Sequence, residues 1–111
     1  MRTDVGNIWW KLHQSVQYLA TGPGNLKARL KYVLYSHLIH LSLPSSAPSE
    51  VHELIADVIA LATTDKDEAG KIGHIHLTLA RSHWTKDRLI AEKIFRAYEL
   101  ASKECYQTKD R

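Results

Sequence analysis

Apolar residues recur along the chain at steps of three and four, the period of a helix with one buried face. Val5, Ile8, Leu12, Val16 and Leu19 form the first such stripe and predict a helix from about Thr3 to Ala20. Thr21-Gly22-Pro23-Gly24 ends it, because glycine accepts a left-handed cap and proline cannot continue a helix. Asn25 is then placed to cap a second helix, Leu26 to about Leu43. Its apolar residues fall on two faces: Leu26, Leu30, Val33, Leu34, His37 and Leu41 on one, and Ala28, Tyr32, Tyr35 and Ile39 on the other. A helix apolar on two sides belongs in the middle of a bundle.

Residues 43–49, rich in proline and serine, read as a flexible connector too short to divide the chain. A third helix follows from about Ser49 to Ala62, with Val51, Leu54, Ile55, Val58 and Leu61 inward. Asp65 and Glu68 have capping-box spacing and predict a fourth helix running to about Ser82. Within it, His74 to Leu79 alternates polar and apolar in strand period, yet the flanking helical context favours helix. A fifth helix, from about Thr85 to Tyr106, turns Ile90, Ile94, Ala97, Tyr98 and Ala101 inward. Its alternating charges form a solvated face, and residues 107–111 read as a frayed tail. The pattern predicts an all-α, single-domain, compact bundle of about five helices over residues 1–111.

Composition narrows the function classes. At 111 residues, with 44% hydrophobic and 24% charged side chains, the chain matches one ordinary globular domain. The lone Cys105 cannot form an intrachain disulfide, and it falls in step with the apolar face of the last helix. No run is long and apolar enough for a bilayer span, and no leader pattern is visible, so the expectation is a cytoplasmic protein without membrane contact. Seven histidines are scattered without metal-ligand spacing, and Walker, Rossmann and nucleophile-elbow patterns are absent. No metal or cofactor is expected.

Charge is uneven although the net is only +3. Residues 1–43 carry Arg2, Lys11, Lys27, Arg29 and Lys31 against Asp4, whereas residues 44–62 carry only acidic charge. Basic residues near aromatics suit a phosphate backbone. Two groups qualify: Lys27, Arg29 and Lys31 beside Tyr32 and Tyr35, and Arg81, Lys86 and Arg88 around His83 and Trp84. The adjacent Trp9 and Trp10 cannot both be buried on one helix, which leaves Trp10 half-exposed as a candidate contact anchor, with Trp84 as a second.

Ile39-His40-Leu41-Ser42-Leu43 and Ile75-His76-Leu77-Thr78-Leu79 resemble the paired His-x-Ser/Thr motifs of the 2H phosphoesterases. That resemblance implies strands presenting His40 and His76 as an acid–base pair, with Ser42 and Thr78 holding phosphoryl oxygens. A broader resemblance, on Leu19 to Gly24 followed by Arg29-Leu30 and on Gly73 to Leu79 before a Tyr-containing last helix, is to small helical bacterial proteins. It implies a helical fold and no particular activity. The leading expectation is a non-enzymatic interaction or regulatory protein of bacterial or phage type, binding a protein partner or itself. A nucleic-acid-binding regulator and a 2H-like phosphoesterase are the alternatives.

Overall fold

The computed structural model describes residues 3–41, 43, 47–68 and 70–109, with side chains omitted at 3–6, 71 and 105–109. Five helices are present among them and no strand: α1 (Thr3–Thr21), α2 (Leu26–Val33), α3 (Ser49–Ala62), α4 (Lys71–Arg81) and α5 (Trp84–Lys109). The alternation at 74–79 is thus helical, and the strands implied by the phosphoesterase resemblance are not formed there. α5 is the spine: α1 and α3 both pack along it, and α2 touches α1, α4 and α5. Its 26 residues at 1.5 Å rise span about 39 Å, which accounts for most of the 46 Å long axis. Ile8 and Leu12 of α1, Leu30 and Val33 of α2, Val51, Ile55 and Val58 of α3, Ile75 and Leu79 of α4 and Ile90, Ile94 and Ala97 of α5 build one continuous core.

The second helix is shorter than its pattern predicts and changes character. After Val33 it widens into a π-helical turn, Leu34–Leu38, closed by an i→i+5 bond from the Ile39 amide to the Leu34 carbonyl at 3.0 Å. The wider turn carries Leu38 into the core and leaves His37 half-buried. Ile39 and His40 lie in a turn, with the Leu41 amide bonded to the Leu38 carbonyl. The start of α2 matches expectation, since the Asn25 side chain accepts from the Ala28 amide at 3.0 Å.

The fourth helix begins later than the Asp65–Glu68 spacing predicts. Residues 63–68 form a connection, and α4 starts at Lys71 after Gly70, whose φ of +80° is a left-handed conformation that favours glycine. Asp65 does not cap a helix. Its backbone N–H instead donates to the Thr78 hydroxyl at 2.9 Å, which ties the connection down on α4. Leu54 and Leu61, expected inward, are only half-buried.

Candidate functional site

The phosphoesterase set does not come together. His76 is exposed on α4 while Thr78 is buried, its hydroxyl engaged by the Asp65 backbone. Two residues apart on a helix is about 200° of rotation, so the two side chains face opposite ways. His40 is exposed in the turn beyond the π segment, and Ser42 lies outside the described residues. Cys105 lies in α5, and its side chain, expected in the core, is not among those described.

Two of the candidate phosphate-binding cations, Lys27 and Arg29, are drawn into the fold, and the others lie in exposed surface contacts. The Lys27 ammonium makes a 2.9 Å ion pair with Asp87 and donates to the Leu79 carbonyl and the Ser82 hydroxyl, joining α2, α4 and α5. Asp87 is buried and also accepts from the Ser82 hydroxyl. Arg29 donates from a terminal nitrogen to the Leu19 carbonyl near the end of α1 at 3.1 Å, and its Nε is buried without a partner among the described residues. Arg81 pairs with Asp65 at 3.3 Å, Arg88 with Glu92 at 2.9 Å, and Lys86 donates to the Thr64 hydroxyl at 2.7 Å. Lys31 differs: its partner is a neutral acceptor, the His76 Nδ1 atom, at 3.2 Å.

The two predicted anchors fare differently. Trp84 is 60% exposed at the first residue of α5 and meets the His83 ring at 6.0 Å. Trp10 belongs to a continuous aromatic array. Trp9 and Trp10 both stack on His13, with centroids 4.9 and 5.7 Å away and interplanar angles of 17° and 23°. The i,i+3 and i,i+4 spacings on α1 put the three rings on one side. Across the helix pair, Tyr98 of α5 lies 5.9 Å from His13 and 6.2 Å from Trp9, and Phe95 lies 6.3 Å beyond Tyr98. The Trp9 indole N–H donates to the Ser102 hydroxyl at 2.8 Å, fixing α1 against α5.

Both ends of this array face outward, with Trp10 51% and Phe95 48% exposed. The sequence signals Trp10 through the Trp9-Trp10 pair, but not Phe95 or Tyr98. Their i,i+3 spacing is visible in the sequence, whereas their meeting with α1 depends on tertiary packing. A smaller ring pair, Tyr18 on Tyr32 at 4.1 Å, walls a shallow cleft of about 270 Å³ with Gln14, Gln17 and His37.

The described residues define an all-α helical bundle whose most developed surface feature is an aromatic face between two helices. No family model matches the chain, and no curated protein or solved structure matches it either. Among the described residues, no helix is long and apolar enough to cross a membrane.

Proposed function

We propose that this chain is a non-enzymatic interaction module that docks a protein partner on the aromatic face shared by α1 and α5. The observation that carries the reading is the run of rings from Trp10 through His13 and Tyr98 to Phe95, outward-facing at both ends. Such a face has the chemistry of an interface anchor. Aromatic rings bring large apolar area at little rotamer cost, and here stacking and the Trp9–Ser102 bond hold them before any partner arrives. The scattering of the His40, His76 and Thr78 set over different faces and environments also supports a non-catalytic role.

The test uses Trp10→Ala and Phe95→Ala, singly and together. Both side chains are about half exposed, so the variants are expected to keep the wild-type helical circular dichroism. A stoichiometric protein partner, captured after nuclease treatment and lost from the double variant, is the expected result. Truncating an interface aromatic costs about 2 kcal/mol or more of binding, some thirtyfold in affinity. Sedimentation of the wild-type and double-variant proteins shows whether that partner is a second copy. Binding that survives in the folded double variant would overturn the assignment of this face.

A further inference from the structure

A second site lies between α2 and α4, independent of the aromatic face. A cavity of about 220 Å³ opens there; its surface is almost wholly apolar, with Ala28, Leu79 and Ala80 among its walls and the polar Asn25, Lys31 and His76 at its border. Lys27 also borders it, but its ammonium is already neutralised by Asp87.

The hydrogen bonds already made fix what the other three polar groups can still do. An ammonium can only donate, so the 3.2 Å contact between Lys31 and the His76 Nδ1 atom makes that nitrogen the acceptor. His76 then carries its proton on Nε2, which is a donor. Lys31 keeps further N–H donors and has no carboxylate partner among the described residues. The Asn25 side-chain oxygen is taken by the Ala28 amide at 3.0 Å, which leaves its NH₂ group as donor. The unused capacity of these three groups is therefore mainly donor, a second lone pair on the Asn25 oxygen aside, with one unneutralised positive charge beside an apolar wall.

We infer that the α2–α4 cavity binds a small organic phosphate, with the phosphoryl oxygens on Lys31, His76 and Asn25 and the non-polar part against Leu79, Ala28 and Ala80. A phosphate is rich in acceptors and matches a lining of donors, and an ammonium adds charge-assisted bonds. A small molecule suits the site better than a nucleic-acid strand. The lining is concave and mostly apolar, which suits the non-polar part of a small molecule better than a charged strand.

The experiment titrates the full chain with phenyl phosphate, inorganic phosphate and sodium chloride at matched ionic strength, read by amide and histidine-ring chemical shifts. Saturable changes confined to Asn25, Lys31, His76 and Leu79 are expected, tighter for phenyl phosphate than for inorganic phosphate and absent with chloride. Lys31→Gln and His76→Gln, both checked for helical content, are each expected to weaken phenyl phosphate at least tenfold. Equal changes with chloride, shifts spread over the surface, or unchanged affinity in both folded variants would overturn the site. Tighter binding of a short single-stranded oligonucleotide, with shifts extending to Lys86 and Arg88, would also overturn it.

Discussion

Lys27 and Asp87 are unequal partners. The Lys27 side chain is 37% exposed and the Asp87 side chain 3%. Removing one member of a buried pair costs most when the charge left behind cannot reach water. Lys27→Met strands the Asp87 carboxylate with the Ser82 hydroxyl alone among the described side chains, whereas Asp87→Asn leaves an ammonium that can swing outward and still has the Leu79 carbonyl. The expected costs are about 3 kcal/mol for Lys27→Met and about 1 kcal/mol for Asp87→Asn, read as urea midpoints at neutral pH. Equal costs would mean that the partial exposure of Lys27 gives it no escape. The same geometry explains why Lys27 reads from the sequence as a candidate phosphate ligand. Its spacing with Lys31 is visible in the chain, but the buried acid that claims it lies 60 positions on, at Asp87.

At the scale of the element, the caps and stripes were legible and the departures from regular helix were not. Gly22 to Gly24 and Asn25 mark the α1–α2 junction by local chemistry, and the structure keeps it. The π turn has no local signature: a 3.6-residue reading puts His37 on the inner face and overlooks Leu38, and only packing selects the wider turn. The Asp65–Glu68 spacing misled for a related reason, because the Asp65 amide that a capping-box Glu68 would accept from donates to Thr78 instead. The π turn has a measurable consequence. It holds His37 where burial, and then the nearby Lys11 charge, lower its pKa below the usual 6.5, with Nδ1 unpartnered among the described residues. As pH falls through about 6.5, the unfolded chain takes up this proton before the folded chain does, so stability drops until the lower folded value is reached. His37→Gln removes that contribution. Its melting temperature should fall less than the wild type's between about pH 7.5 and about pH 5. Parallel curves would place the acid sensitivity in other groups.

The whole molecule hangs on α5, which joins the α1 side of the bundle to the α3 side, while α3 and α2 each hold α4. No helix is attached through one neighbour only, so loosening one face loosens the rest, and a single cooperative transition is expected. Ile94 is fully buried on the spine. Ile94→Ala removes buried methylenes and leaves a cavity, at a cost of about 2–5 kcal/mol. That is a large share of the roughly 5–15 kcal/mol that holds a typical domain together. The expected outcome is a lower denaturant midpoint with an unchanged slope. Helical circular dichroism and tryptophan fluorescence should still coincide, because Trp9 and Trp10 report from α1 and Trp84 from the start of α5 while the helical signal averages over the chain. If the fluorescence transition came first, α1 would be separable from the α3–α4 side, and the aromatic face between α1 and α5 could open without unfolding the rest. If the two stay together, that face unfolds only with the core beneath it, and the proposed partner would meet it ready formed.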